Sequence, residues 1–364
     1  MIADDIDPVA TLQPPGFLRR LSARRGAFLS FLFLVALYAS LPFAEFIAPY
    51  APETRSNDFI HTPPTGVHLF RDGAFVGPYV YATTSIVNTT TFQREFTEDT
   101  TKPLPIRFLC SGDGYELWGL VPMSFHVICP PDGGSIFLFG ADRLGRDVFS
   151  RMVYGARISL TIGLLGVSIS FILGCILGGM AGYIGGWVDA GVLRLIELLR
   201  AMPELPLWMA LAAALPANWP AIWVYFGITL ILGLLEWPGL ARAVRAKIMS
   251  LREEDYVVAA ELLGASRMRV LLRHMLPNFS SHLIVSVTLA IPGMILGETA
   301  LSFLGLGLRA PVVSWGVLLN DAQNISAVEL YPWLLLPLVP VILVVLAFNV
   351  LGDGLRDTID PYGH

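Results

Sequence analysis

Six runs of about 20 mostly apolar residues constrain this chain more than any other feature. They fall at about 27–47, 158–183, 192–215, 219–240, 282–306 and 331–351. Surface that apolar aggregates in water. In lipid the backbone must satisfy its own N–H and C=O groups, so each run predicts a transmembrane helix. Composition agrees: 54% of residues are hydrophobic and 15% charged, against roughly 25% charged in globular proteins. The expected fold is an all-α polytopic membrane protein with six transmembrane helices. The first run reads as a retained span, being long for a leader and lacking a small-x-small site before Pro49.

Basic residues set the orientation. Arg19, Arg20, Arg24 and Arg25 precede the first run, and Arg242, Arg245, Lys247, Arg252, Arg267, Arg269 and Arg273 lie between the fourth and fifth. Both segments read as cytoplasmic. Six crossings then return the C-terminal tail, with Arg356, to the same side. The chain divides into an N-terminal tail (1–26), a first span (27–47), an extracytoplasmic insert (48–140), a core of five spans (141–356) containing a cytoplasmic loop (241–281), and a C-terminal tail (357–364). The insert is rich in Thr, Pro, Gly and aromatics, with β-leaning runs at 79–84 and 124–128. Its length predicts a small β or irregular unit rather than a linker. The acidic excess sits mainly there and argues against nucleic acid.

Chemistry is sparse. No G-x4-G-K-[ST], H-E-x-x-H or G-x-S-x-G occurs, so neither a phosphate loop nor a catalytic residue can be named. The six histidines show no metal-ligand spacing, so no metal site is expected. Cys110 and Cys129 both fall in the outside insert, where an oxidising compartment lets them pair; two separate thiols is the alternative. Cys175 reads as a small buried hydrophobe within the second span. Gly174, Gly178, Gly182 and Gly186 recur every fourth residue, a face for close helix approach. Arg194 and Glu197 are spaced to pair on one helix face. Glu236 and Glu298 lie within spans, where a carboxylate must face protein or water. For Glu298 two roles are open: a hydrogen bond inside the bundle, or lining a substrate cavity.

Two motifs go further. The first runs Asp142-Arg143-Leu144-Gly145-Arg146-Asp147-Val148-Phe149-Ser150-Arg151, then Tyr154-Gly155-Ala156-Arg157. Physically it reads as an amphipathic segment with snorkelling arginines at a membrane interface. The second is the cytoplasmic stretch Glu253-Glu254-Asp255-Tyr256-Val257-Val258-Ala259-Ala260-Glu261-Leu262-Leu263-Gly264, followed by Arg267, Arg273 and Leu276-Pro277. Ala259 and Ala260 offer a slim helical face. Gly264 permits a sharp change of direction. The arginines offer charge to head groups or partner carboxylates.

With these motifs the chain resembles the permease subunits of bacterial ABC importers, and within them the dipeptide/oligopeptide/nickel group. The likeness covers about 138–361 and ends in Gly352-Asp353-Gly354-Leu355-Arg356-Asp357. It implies the type I permease fold and a non-catalytic role as half of a translocation pore in the bacterial inner membrane, with both termini cytoplasmic. The implied partners are a second homologous permease, two cytosolic ATPase subunits, an extracytoplasmic solute-binding protein and membrane lipid. ATP and Mg would sit on the ATPases, with no cofactor on this chain. The second motif would be the ATPase-coupling loop, with its docking helix at about 253–263. The first would lie on the outer side, in a gate or receptor-docking rim. Val258 stands where the family's glutamate is usual, and Ala141 where threonine is usual. Peptides are the implied substrate; oligosaccharides, opines and nickel complexes are handled by some members. A membrane enzyme built on Glu236 or Glu298 lacks a paired carboxylate or nucleophile motif. A proton-driven carrier would call for inverted repeats, and none is evident.

Overall fold

The computed structural model describes residues 17–71, 73–87, 94–216 and 218–359; the predicted tails lie outside these up to residue 16 and from residue 360. Helices α1 (Phe17–Ala23), α2 (Arg25–Ser40) and α3 (Ala44–Ile47) lead into five strands: β1 (His68–Arg71), β2 (Ala74–Val87), β3 (Arg94–Pro105), β4 (Arg107–Leu117) and β5 (Val121–Cys129). The helical body follows: α4 (Val148–Ile184), α5 (Gly186–Arg200), α6 (Glu204–Ala213), α7 (Ala221–Leu251), α8 (Asp255–Leu262) and α9 (Arg267–Arg269). A π-helical turn (Val270–Met275) and a 3-10 turn (Leu276–Phe279) join α9 to α10 (Ser280–Phe303). Helices α11 (Trp315–Asn320), α12 (Ile325–Leu330) and α13 (Leu338–Ile359) complete the chain.

Among the described residues five helical stretches, not six, are long and apolar enough to cross a membrane: Arg25–Ile47, Val148–Ile184, Ala221–Leu251, Arg267–Phe303 and Pro332–Thr358. The predicted third span, 192–215, is two helices. Proline has no N–H to donate and disfavours helical geometry at the residue before it. Accordingly α5 stops at Arg200 and α6 restarts after Pro203, for only ten residues. That is about 15 Å, half of a hydrocarbon core. Hydropathy averaged over a window does not register such a break.

The core is centred on α4 crossing α7. Gly174, Gly178 and Gly182 carry no side chain, which lets the two backbones close up. A Cβ at Gly178 would lie 2.8 Å from Ala241 Cα, and one at Gly182 would lie 2.6 Å from Arg245 O. Gly186 does not extend this face, because α4 ends at Ile184 and a left-handed pair, Gly185 (φ 70°) and Gly186 (φ 58°), turns the chain into α5. The Arg194–Glu197 pair expected on α5 does not form. Asp189 instead pairs with Arg245 of α7, with Nη2 2.5 Å from Oδ2, tying the turn to the neighbouring helix. The bundle interior holds Leu160, Ile162, Ile228, Leu232, Ile295 and Trp315.

The strands form two antiparallel sheets, β1-β2-β3 and β4-β5. The β-leaning runs at 79–84 and 124–128 fall in β2 and β5. Cys110 of β4 is disulfide-bonded to Cys129 of β5, while Cys175 is free and buried in α4.

If the α4–α7 crossing depends on the missing side chains, Gly178→Leu should destabilise the solubilised protein by about 1–3 kcal/mol through overpacking. Gly191→Leu, on α5 with no atom within 4 Å of its Cβ, should leave the melting temperature unchanged or raise it. Equal losses in a thermal-melt comparison of the two would contradict this packing account.

Candidate functional site

The segment between α7 and α10 is shorter and more ordered than a 40-residue loop. Helix α7 runs on to Leu251, so Arg242, Arg245 and Lys247 sit on a helix that continues beyond the predicted end of its span. After one turn the chain starts α8, with Glu254 in extended backbone at the N-cap and Asp255 in the first turn, where a carboxylate suits the helix dipole. Val257 is the one residue of α8 that is fully buried. It packs with Val270, Leu271 and Met275 of the following turn.

Helix α8 ends in a glycine cap. Gly264 has φ +83°, which a β-carbon would resist. Its N–H donates to Glu261 O at 2.9 Å, and the N–H of Ala265 donates to Ala260 O at 3.1 Å. These are the paired bonds of a Schellman motif, and they satisfy carbonyls the helix end would otherwise leave open. The cap projects the two preceding side chains outward: Leu262 is 83% and Leu263 89% exposed. Tyr256 and Val258 are also exposed, as are Glu253, Glu254, Asp255 and Ala259, while Ala260 is half-buried.

Side-chain bonds clamp α8 at both ends. Tyr183, at the end of α4, donates its hydroxyl to Glu261. Asn278, in the turn entering α10, donates Nδ2 to the Tyr256 hydroxyl at 3.0 Å. Arg267 and Arg273 are exposed below the helix, and Pro277 occupies the first positions of the 3-10 turn. Thus Glu261 and Tyr256, not position 258, carry the side-chain polar contacts of this element. The exposed leucines and the Tyr183–Glu261 bond were missed from sequence. The leucine pair had a usable signal, since two leucines ahead of a C-cap glycine on an eight-residue helix exceed what one buried face can hold.

The first motif is not a set of snorkelling arginines. Asp142, Arg146, Asp147 and Arg151 are all buried. Asp142 accepts from the backbone N–H of Leu144 (2.8 Å) and Arg146 (3.0 Å), from Arg146 Nε (2.8 Å), and from Arg151. A buried carboxylate with this many donors removes any need for the guanidinium groups to reach water. Gly145 closes the turn at φ +67°, and a side chain there would collide with the Ser56 carbonyl. Asp147 caps α4 by accepting from Ser150 N at 2.7 Å. Arg143 alone points outward, 3.1 Å from Asp321. Arg157 reaches back to Glu45 (2.7 and 2.8 Å) and to Leu41 O, fastening α4 to the end of the first span. Within the 142–151 stretch Asp142, Arg146, Asp147 and Arg151 turn inward, and Arg143 is the charged residue left exposed.

Glu298 lines no cavity. It is 0% exposed and accepts hydroxyl bonds from Ser159 (3.0 Å), Ser302 (2.8 Å) and Ser314 (2.7 Å), joining α4, α10 and the N-cap of α11. The intramembrane carboxylate that does meet open space is Glu236. With Arg200, Ser170 and Ser286 it lines a cleft of about 320 Å³ between α4, α5, α7 and α10. Among the described residues no group of three or more His, Cys, Asp or Glu is placed to hold a metal ion.

The model of the family described as binding-protein-dependent transport system inner membrane component matches residues 170–362. That of the N-terminal TM domain of oligopeptide transport permease C matches residues 16–64. Similar relatives include the dipeptide transport system permease protein DppC of Bacillus subtilis, 41% identical over 61% of this chain and 68% of its own length. The oligopeptide transport system permease protein OppC of Haemophilus influenzae is 40% identical over 61% of this chain and 70% of its own. The Bacillus subtilis OppC is 38% identical over 61% and 71%.

Burial pushes the Asp147 carboxyl up to about 6, from an ordinary value of 3.8, despite its bonds to the α4 N-terminus. The folded state therefore prefers this group protonated. Its contribution to stability is fully present below pH about 4 and is lost as pH rises through about 6. Asp147→Asn keeps an N-cap acceptor and removes the charge. The variant should show a flatter fall in melting temperature over that window and melt higher at neutral pH. A slope matching the parent would refute this assignment.

Proposed function

We propose a function from one premise: the chain belongs to the family of binding-protein-dependent transport system inner membrane components, and it is a peptide-import permease subunit of an ABC transporter. It is a multi-pass protein of the inner membrane that performs no catalysis itself. ATP and Mg belong to the ATPase partners, and a solute-binding protein delivers the cargo. A second, homologous permease completes the pore, and two ATPase subunits serve the pair. The broken α5–α6 pair supplies the crossing that the five long helices leave out, so both termini face the cytoplasm. The β-rich segment then lies outside.

The observation that carries this reading is the build of α8. It is a short helix held to the body through one buried valine and two side-chain bonds, and it presents an apolar end to whatever lies beneath. An ATPase groove closing on Leu262 and Leu263 would move α8 as a lever. Glu261–Tyr183 passes that motion to α4, and Tyr256–Asn278 passes it to α10. Because α4 is locked to α7 at the glycine face, the three helices turn together. Such a motion changes which membrane face the pore opens to, a population shift driven by nucleotide and by the loaded receptor. The cleft with Glu236 and Arg200 offers a passing peptide partners for its ammonium and carboxylate ends.

Leu263→Asp should weaken co-purification of the ATPase subunits by about 2 kcal/mol, roughly 30-fold in affinity, while leaving membrane insertion intact. ATPase binding and peptide uptake at parental levels would refute the docking role. For the outside segment, cutting the β2–β3 hairpin back at its Thr84–Thr97 pair should reduce receptor-stimulated ATP hydrolysis and spare the basal rate. Equal loss of both in an assembled transporter would argue against a receptor contact there.

A further inference from the structure

The β4–β5 hairpin shows an unusual surface at its turn. Leu117-Trp118-Gly119-Leu120-Val121 contains no charge, with Glu116 the nearest acid. Leu120 is 78% and Trp118 57% exposed, and Val121 and Met123 are also open. Trp118 (φ 56°) and Gly119 (φ 67°) form the turn with positive φ at both positions. That geometry is rare for a bulky aromatic and is held by something specific. The indole Nε1 donates to Pro42 O at 2.8 Å, and Phe125 of β5 stacks on Phe46 with ring centroids 6.1 Å apart. The hairpin thus folds back against the outer end of the first span.

Depth follows from helix geometry. Arg24 and Arg25 mark the inner boundary of that span. From Gly26 to Pro42 the helix rises about 24 Å, which falls short of the roughly 30 Å hydrocarbon thickness. Pro42 and the exposed Phe43 therefore lie just inside the outer boundary, and Trp118 is bonded to that level. An indole with its N–H engaged and its ring open belongs at such an interface. We infer that the tip of the β4–β5 hairpin is seated in the outer leaflet, with acyl chains against Leu120, Val121 and Phe43 and head groups at Glu116. It acts as an interfacial anchor that fixes how the β-rich segment stands over the pore. The inference rests on the reading of Arg25–Ile47 as a crossing helix.

The test uses the permease assembled with its partner subunits in lipid nanodiscs, in a Cys175→Ala background, with an environment-sensitive fluorophore on single introduced thiols. A label at Leu120→Cys should lose fluorescence to lipids brominated high on the acyl chain. A label at Lys102→Cys, on exposed β3, should not. A label at Val35→Cys, mid-span and lipid-exposed, should be quenched by deeply brominated lipids. Quenching at Val35 without quenching at Leu120 overturns the anchor alone. So does an unquenched Leu120 label whose emission shifts on adding the binding protein, which would make the tip a protein contact. Absence of quenching at Val35 overturns the crossing itself, and the anchor with it.

Discussion

Water cannot satisfy a polar group inside a hydrocarbon layer, and the internal pairing that replaces it organises this chain. Asp142 gathers Arg146 and Arg151 ahead of α4. Arg157 takes Glu45 from the end of the first span. Glu298 takes three serines from three elements. The Arg157–Glu45 and Ser159–Glu298 bonds join segments more than 100 residues apart, so pairing there also dictates which helices sit together. A buried partner left behind by substitution costs more than the pair itself contributes. These groups therefore hold their end of the bundle to one arrangement more than they add net stability.

The opposite end is held differently. There the α4–α7 contact is backbone against backbone at Gly178 and Gly182, and the charged groups retreat to the edges, as Asp189–Arg245 does. Arg245 meets Asp189 through both Nε and Nη2, a paired tie between α5 and α7. A contact made of backbones has little room to slide, because neither side carries a rotamer that could adapt. The two helices then behave as one body.

How much of this was legible in the sequence varied with the range of the interaction. Apolar runs located α2, α4, α7, α10 and α13, since hydropathy is a local property. The α8 cap was legible too, because Gly264 is demanded by a turn within its own segment. The break within the third apolar run was missed because the chain leaves helical geometry between Arg200 and Glu204 without a fall in mean hydropathy. The arginine motif was misread for a deeper reason. Asp at 142 with Arg at 146 and 151 is equally compatible with arginines reaching for head groups and with arginines turned inward. What decides is the cover supplied by Ser56 and the 140s turn, and no local spacing reports that. Glu298 was half legible: Ser302 is one helical turn away, whereas Ser159 and Ser314 are placed only by the fold.

The exposed end of α8 follows from the same physics seen from the other side. The segment around α8 exposes both apolar and charged side chains. Leu262 and Leu263 supply short-range apolar area, and Arg267, Arg269 and Arg273 next to them supply charge that screens within about 8–10 Å at physiological salt. The glycine cap makes both possible at once, since it ends the helix abruptly enough to leave the leucines uncovered while the arginines begin only three residues later. A cap without glycine would strain at the positive φ of position 264. The element thus stays apolar at one end and is still tied, through Tyr183 and Asn278, to α4 and to the turn entering α10.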